Sequence, residues 1–200
     1  MITLRRRYMG NDKGITPIAY IQSTNTQWID TGIDALDVYG WEVNFMRPVA
    51  GNEGNVLYAN GFSATLYSNG GFNTVVHGVN NGYTGNGLNQ AMVEYTLFSN
   101  DDMTTLYAGK VGNGGVSKNY TAPVGTSSGN IFLFRNGNSV SPLIITKVVF
   151  KDANNQPIFH AIPVKTRFGE GCMYDLVSRR LLRNMGSGAF ILGPDVLGGV

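Results

Sequence analysis

The chain has 200 residues, of which 14% are charged, against about 25% in an average soluble domain. Its 27 glycines and 21 asparagines favour turns and tolerate a positive φ, so the composition argues against a helical bundle and predicts many short strands. The single cysteine excludes an internal disulfide framework and a cysteine-based metal cluster. A net charge of +2 is too small to indicate nucleic acid as a partner. No run of about 18 apolar residues is present, so we expect no membrane segment.

The charged residues are distributed unevenly along the chain. Residues 1–13 carry four basic and one acidic side chain, and residues 110–200 carry ten basic and four acidic ones. Between them, residues 14–109 carry one basic side chain against eight acids. The small net charge therefore hides a basic start and a basic second half.

Three consecutive arginines, Arg5, Arg6 and Arg7, lie close to the N-terminus. Only four residues precede them and no apolar run follows, which does not match a secretion signal. Two interpretations stay open for residues 1–17. They are either a solvated start of the chain, or a basic N-terminal arm that anchors the protein to an acidic partner surface.

Alternation of apolar and polar residues with a period of two recurs along the chain and predicts strands. It is clear in residues 41–46, 64–69, 92–98, 131–135, 145–150, 158–164, 173–177, 180–183 and 189–192. Pro157 and Pro163 limit how far the strand over 158–164 can pair, so we expect it at a sheet edge. The segment 111–130 is the least strand-like and is expected to form a long surface loop.

Turn residues separate the predicted strands. Such sites are Asn60-Gly61, Asn69-Gly70-Gly71, Asn81-Gly82, Asn113-Gly114-Gly115, Asn136-Gly137 and the hairpin loop Asp152-Ala153-Asn154-Asn155. No window of a dozen residues shows a helical stripe. Strands at this spacing predict a single all-β sandwich or barrel domain over residues 18–200.

The acidic residues do not show the pattern of a glycoside hydrolase. Retaining enzymes need two carboxyl groups about 5–5.5 Å apart, which sandwich glucanases place on one face of one strand. The four glutamates, Glu42, Glu53, Glu94 and Glu170, each stand alone, and the close pairs Asp34/Asp37 and Asp101/Asp102 fall in predicted turns. Nucleophile motifs and the phosphate-binding glycine loop are also missing. We therefore expect no enzymatic activity.

No metal or cofactor is assigned from the sequence. His77 and His160 lie far apart and form no zinc motif. Asp30, Asp101, Asp102 and Asp175 are oxygen ligands suited to calcium, but they lack EF-hand spacing. Asp175 is as readily explained by a bond to a neighbouring backbone amide. Cys172 is expected to be a small buried apolar side chain.

Glycan binding remains open on composition, because aromatic faces suit sugar rings and planar amides suit hydroxyl groups. Tyr83, in VNNGYTGNG, and Tyr120, in SKNYTAP, are the candidate glycan-binding residues, since both lie in glycine- and asparagine-rich loops. The alternative is that each ring packs on its own loop.

Two segments carry a resemblance to a known family. Residues 20–33 read YIQSTNTQWIDTGI, and residues 172–196 read CMYDLVSRRLLRNMGSGAFILGPDV. The pair resembles the concanavalin A-like, or laminin-G-like, β-sandwich proteins of gut bacteria and their phages. The resemblance implies a jelly-roll sandwich of two antiparallel sheets, in which the first and last strands close the domain together. Its motif residues are therefore expected to be architectural, with Trp28 in the first core strand and Asp30-Thr31-Gly32 ending it.

Three functions remain open. The first is a non-catalytic phage virion component, a capsid decoration or tail or head-fibre protein. It would attach to other virion proteins through the arm and bind polysaccharide weakly in multivalent or homo-oligomeric form. The second is a carbohydrate-binding or adhesion module on the bacterial cell surface. The third, a glycoside hydrolase, is disfavoured by the isolated acids.

Overall fold

The computed structural model describes residues 14–83, 87–99, 105–112, 115–119 and 126–196. These residues form one 3₁₀ turn, Ala35–Asp37, and nineteen strands. The strands are β1 (Ile15–Pro17), β2 (Ile21–Gln22), β3 (Ile29–Asp34), β4 (Gly40–Met46), β5 (Gly54–Asn60), β6 (Phe62–Leu66), β7 (Phe72–Val76), β8 (Val79–Tyr83), β9 (Tyr95–Ser99), β10 (Thr105–Lys110), β11 (Gly115–Asn119), β12 (Ser128–Leu133), β13 (Arg135–Asn136), β14 (Ser139–Val140), β15 (Ile144–Lys151), β16 (Pro157–Thr166), β17 (Gly171–Asp175), β18 (Arg180–Leu182) and β19 (Ile191–Leu192).

The strands form two large antiparallel sheets and a small hairpin. The larger sheet has the order β11-β10-β9-β4-β15-β16-β17-β18. In addition, β1 pairs with β16, β2 pairs with β15, and β19 pairs with β2. The smaller sheet has the order β3-β12-β5-β6-β7-β8, and β13 pairs with β14 alone. In the described part of the chain, no helix is long and apolar enough to cross a membrane.

The core lies between the two sheets and is built on aromatic contacts. Phe62 of the smaller sheet packs edge-on against Trp41 and Phe150 of the larger one, with ring centroids 6.1 and 6.4 Å apart. Phe159 stacks on Phe150 at 5.2 Å. Along β4, Trp41, Val43 and Phe45 are buried while the residues between them are partly exposed, so the predicted alternation is confirmed.

The expectation that residues 158–164 form an edge strand is wrong. β16 lies inside the larger sheet, paired with β17 on one side and with β15 and then β1 on the other. Pro163 is tolerated because it lies where the neighbour changes from β15 to β1. Its carbonyl accepts from the Ile18 amide there at 3.1 Å.

Two further local predictions need correction. The predicted loop over residues 111–130 contains the edge strand β11 and the start of β12. The Asn81-Gly82 pair lies within β8, and the turn before it is made by His77 and Gly78, with φ of 45° and 78°. Both φ values are positive, as a two-residue hairpin turn between strands requires.

Two buried side chains, Arg47 and Cys172, have shifted pKa values. Arg47 donates from Nε to the Leu88 carbonyl and from Nη2 to the Tyr67 carbonyl, which ties two loops together. Burial lowers the pKa of its guanidinium. Cys172 is buried as predicted, and burial raises the pKa of its thiol to about 11.

The opening and closing motifs lie against each other, as the resemblance implies. The Met185 amide donates to the Trp28 carbonyl at 2.9 Å, and the Ser187 amide donates to the Thr26 carbonyl at 3.1 Å. The Gln27 side-chain amide donates to the Ser187 carbonyl at 3.0 Å. These bonds join chain segments about 160 residues apart, so the bonded residues hold the two motifs together.

Gly186 makes the closest backbone contact of this closure, because a Cβ there would overlap the Thr26 carbonyl oxygen. We expect Gly186→Ala to lower the free energy of unfolding by about 2 kcal/mol, as overpacking does. Gly87→Ala is the control, since a Cβ there has no atom within 4 Å. Urea unfolding measures both variants, and equal losses would contradict the close-contact explanation.

Candidate functional site

A cleft of about 400 Å³ opens at one end of the sandwich, where the edge strand β3 of the smaller sheet meets the β15–β16 hairpin of the larger sheet. Its lining residues are Gly32, Ile33, Asp34, Asp37, Tyr39, Asp152, Ala153, Asn154 and Ile158. Ile33 and Ile158 also pack against the core, so the cleft rests on a fixed apolar floor. We call this feature the acidic cleft.

A bulge in β3 shapes one wall of the acidic cleft. Asp30 pairs with Phe132 and Asp34 pairs with Asn130, so β3 advances by four residues where its partner β12 advances by two. Gly32 supplies the positive φ, +69°, and its amide donates to the Asp30 carboxylate at 2.8 Å. The expectation that Asp30-Thr31-Gly32 ends the strand is therefore wrong, because β3 continues through the bulge to Asp34.

The bulge is held from both sides. The Thr31 hydroxyl donates to the Ile131 carbonyl at 2.7 Å, and Arg180 Nη2 donates to the Thr31 carbonyl at 2.9 Å. Arg180 belongs to β18, so this bond links the edge of the smaller sheet to the larger sheet. A Cβ on Gly32 would lie 2.7 Å from Arg180 Nη2.

Two carboxylates follow the bulge. Asp34 caps the 3₁₀ turn, and its Oδ1 accepts from the Leu36 amide at 2.9 Å. Asp37, at the end of the turn, is exposed and has no bonding partner among the described residues. The pair that the sequence placed in a predicted turn is thus on the cleft rim, with one oxygen of Asp34 and the whole of Asp37 open to a ligand.

The third carboxylate comes from the β15–β16 hairpin. Asp152 Oδ1 accepts from the amides of Asn154 and Gln156 at 2.9 and 2.8 Å, which fixes the loop. Asn155 takes a φ of 60° in this loop. The sequence prediction of a hairpin loop at residues 152–155 is confirmed, and the loop brings Asn154 to the acidic cleft.

Tyr39 is the aromatic side chain of the cleft and is 42% exposed. Its amide donates to the Lys151 carbonyl at 2.8 Å, which anchors it to the end of β15. The buried imidazole of His77 bonds the preceding carbonyl, that of Val38, through Nε2 at 3.1 Å. Since a carbonyl oxygen can only accept, the imidazole donates from Nε2, and its Nδ1 lies 2.8 Å from the Ser127 hydroxyl. His77 therefore positions the segment that carries Tyr39.

The lining combines an exposed ring, three carboxylates and an amide, with no basic side chain among them. Such a set accepts hydrogen bonds from hydroxyl or ammonium donors and offers one apolar face. Because Asp34 and Asp152 each use an oxygen to cap their own backbone, they serve as positioned acceptors.

The residues singled out from sequence are placed only in part. Tyr83 ends β8, and its side chain lies outside the described part of the structure. Tyr120 and the arm residues Arg5, Arg6 and Arg7 also lie outside the described residues. Tyr39, which the sequence did not single out, is the described aromatic side chain in the cleft.

The four glutamates considered as catalytic acids all have partners. Glu42 pairs with Lys147 at 2.5 Å, and Glu94 accepts from the Thr146 hydroxyl. Glu53 accepts from the Ser68 amide at 2.9 Å, and Glu170 pairs with Arg183. None of the four lines the acidic cleft.

Of the four calcium candidates, Asp101 and Asp102 lie outside the described residues, and Asp30 and Asp175 are bonded to protein groups. Asp30 accepts from the Asn130 amide at 3.0 and 3.1 Å. Asp175 accepts from the amides of His160, Val177 and Ser178, so its backbone role is confirmed. Within the described ranges, no group of three or more His, Cys, Asp or Glu side chains is arranged to hold a metal.

Gly32→Ala tests the bulge. We expect the free energy of unfolding to fall by about 1–2 kcal/mol for the left-handed backbone, and further because Arg180 must move from Thr31. Gly137→Ala is the matched control, with a φ of +53° and no atom within 4 Å of a Cβ. Thermal and urea unfolding measure the difference. Equal losses in the two variants would show that the Arg180 contact contributes nothing.

No protein-family model and no curated protein matches the sequence. Solved structures do match in fold. A native heptameric SAP-like pentraxin from Limulus polyphemus aligns over 94% of this chain and 98% of its own, with a TM-score of 0.53 and 10% identity. A "putative carbohydrate binding protein" from Bacteroides ovatus ATCC 8483 aligns over 93% of this chain, with a TM-score of 0.56 and 9% identity. This chain spans 62% of the length of that second protein. The chain is thus an all-β, concanavalin A-like jelly-roll sandwich of two antiparallel sheets.

Proposed function

We propose that the protein is a non-catalytic carbohydrate-binding module and that the acidic cleft is its binding site. The observation that carries the proposal is the exposed Tyr39 ring beside three carboxylates and the Asn154 amide. A sugar ring offers an apolar C–H face for Tyr39 and hydroxyl donors for the carboxylates. One sugar ligand can therefore contact both the aromatic ring and the carboxylates of the cleft.

The geometry supports a preformed site. Tyr39 is anchored by the Lys151 carbonyl, and Asp34 and Asp152 are each fixed by backbone amides. A preformed site loses little conformational entropy on binding. The cleft is small and open, however, so we expect weak binding per site, which attachment in many copies would strengthen.

The alternative function suggested by the same acidic residues is that of a glycoside hydrolase. Two of the three cleft carboxylates already accept from backbone amides, and the four glutamates are bonded away from the cleft. We therefore propose binding without turnover. Incubation with the bound polysaccharide should release no new reducing ends, and release that disappears in Asp37→Asn would contradict the proposal.

Two solved structures with a similar fold also favour a carbohydrate-binding function. One is described as carbohydrate binding and the other as a heptameric pentraxin. From these descriptions we further propose that the ligand is a polysaccharide and that the protein functions as a homo-oligomer. Light scattering of the purified full chain would measure the mass of the particle in solution. A strictly monomeric protein would contradict the proposal that homo-oligomers bind multivalently.

We further propose that the module is attached to a larger particle, with a phage virion as the first candidate and the bacterial cell surface as the second. The support is the basic sequence at Arg5, Arg6 and Arg7. Mass spectrometry of purified particles tests the virion location. A fixed copy number per particle is expected, and its absence from particles would contradict the virion proposal.

Tyr39→Ala should weaken glycan binding at least ten-fold, because it removes the ring that covers one face of the sugar. A glycan array or affinity gel with the full chain first identifies the polysaccharide, and calorimetry then measures the affinity of each variant.

Tyr67→Ala is the matched control for this experiment. Tyr67 is 40% exposed, close to the 42% of Tyr39, but it lies beyond β6 and does not line the cleft. We expect its affinity to stay within two-fold of the unmodified protein. Equal effects of the two substitutions, or no binding to any polysaccharide, would refute the proposed site.

A further inference from the structure

We propose that a second ligand site lies on the outer face of the smaller sheet, and that it binds an anionic sugar through a carboxylate or sulfate group held by Arg135. We call this surface the aromatic platform and define it as Trp28, Tyr58, Phe132 and Arg135. The inference rests on the proposed function in one respect only, that the ligand is a carbohydrate.

The platform is a stack of rings and a guanidinium. Arg135 Cζ lies 4.1 Å from the centroid of the Trp28 ring and 5.2 Å from that of Phe132. Trp28 and Phe132 meet edge to face, with centroids 5.4 Å apart and planes at 86°. These contacts place the guanidinium over the Trp28 ring and near the Phe132 ring, as cation–π attraction favours.

Packing in the hydrophobic core does not explain the positions of these rings. Trp28 and Phe132 are half-buried and do not belong to the cluster between the sheets, so the prediction of a core Trp28 is wrong. Tyr58, also half-buried, lies directly opposite Phe132 on β5 and shares its face. Three neighbouring aromatic side chains therefore lie on the side of the sheet that faces away from the core.

Arg135 has unused hydrogen-bonding capacity. Its Nε donates to the Gly137 carbonyl at 2.5 Å, and its two Nη groups have no bonding partner in the described part of the chain. Asp30, the acid on the same row of the sheet, is bonded to the Asn130 and Gly32 amides instead. The planar Nη fork of an arginine matches a carboxylate or sulfate in two parallel bonds.

The local backbone is arranged to place Arg135 over Trp28. The residue before it, Phe134, is fully buried with a φ of +67°, an uncommon conformation for a bulky residue. Its amide donates to the Val56 carbonyl, and its carbonyl accepts from the Ser141 amide, so the turn is fixed. The guanidinium is therefore presented by rigid backbone, which suits a binding group.

The platform is distinct from the acidic cleft. Trp28 immediately precedes β3, whereas the cleft begins at Gly32, and no platform residue lines the cleft. The cleft carboxylates of Asp34 and Asp152 accept hydrogen bonds from backbone amides of their own loops and do not contact Arg135. The carboxylates of the cleft therefore do not prevent an anion from binding at Arg135.

The test compares three polymers with the full chain: dextran as the neutral probe, polygalacturonate as the carboxylate probe and dextran sulfate as the sulfate probe. We expect at least one charged polymer to bind more tightly than dextran. Arg135→Ala should weaken that binding at least ten-fold, as loss of a charge-assisted bidentate contact does. Arg135→Lys should also weaken it, because a lysine lacks the fork.

Arg167→Ala is the matched control. Arg167 also stacks on an aromatic ring, 4.6 Å from the Phe168 centroid, but at a hairpin tip away from the platform. It should change the affinity less than two-fold. Equal losses in Arg135→Ala and Arg167→Ala would indicate non-specific attraction by positive charge and would overturn the proposal, as would no preference for either charged polymer or full binding by Arg135→Lys.

Tryptophan fluorescence adds a readout that a folding defect would not mimic. The chain has two tryptophans, and Trp41 is buried in the core, so a ligand on the platform should change the emission of Trp28 alone. Trp28→Phe should remove the change. Tyr39→Ala should leave it intact, which separates failure of this site from failure of the acidic cleft. An unchanged signal in Trp28→Phe would contradict the location.

Discussion

The bulge at Gly32 in the edge strand β3 is the constraint on which the acidic cleft depends. It advances β3 by four residues while β12 advances by two, and Arg180 and Ile131 hold it from either side. Beyond the bulge, the chain turns at once into the Asp34 cap and the 3₁₀ turn that lead to Tyr39. Trp28 immediately precedes the strand, and its ring lies on the outer face with Phe132. The bulge thus places the carboxylates beyond one end of β3, while the aromatic platform lies at the other end.

Much of the architecture could be predicted from period-two alternation and turn chemistry. β4 and β15 show the alternation or the β-branched content of buried strands, and the loop after Asp152 shows the Asx chemistry of a hairpin. The contact between the opening and closing motifs was predicted from the family resemblance, and the structure adds that Gly186 is required there because a Cβ would overlap the Thr26 carbonyl oxygen. The inner position of β16 was not, because the change of neighbour at Pro163 depends on β1, which lies about 145 residues earlier in the chain.

The acidic cleft could be predicted only in pieces. Asp34 and Asp37 are visible as a close acidic pair, and Asp152 as a turn residue, but nothing local links them across more than a hundred residues. Trp28 was misplaced because alternation fixes which residues share a face and not which face is inside; here Gln27 and Ile29 are buried. Buried polar groups such as Arg47 and His77 also carry no sequence signal, because their partners are backbone carbonyls of distant loops.

Amide chemical-shift mapping of the full chain, during titration with the bound polysaccharide, distinguishes carbohydrate binding in the acidic cleft from binding elsewhere on the protein. The amides of Leu36, Asn154 and Gln156 report on the cleft, because each donates to a cleft carboxylate. We expect saturable shifts in residues 32–39 and 152–158, with little change around Tyr67 and Arg47 at the opposite end of the sandwich. Shifts confined to that opposite end, or no shifts with any polysaccharide, would contradict binding in the acidic cleft.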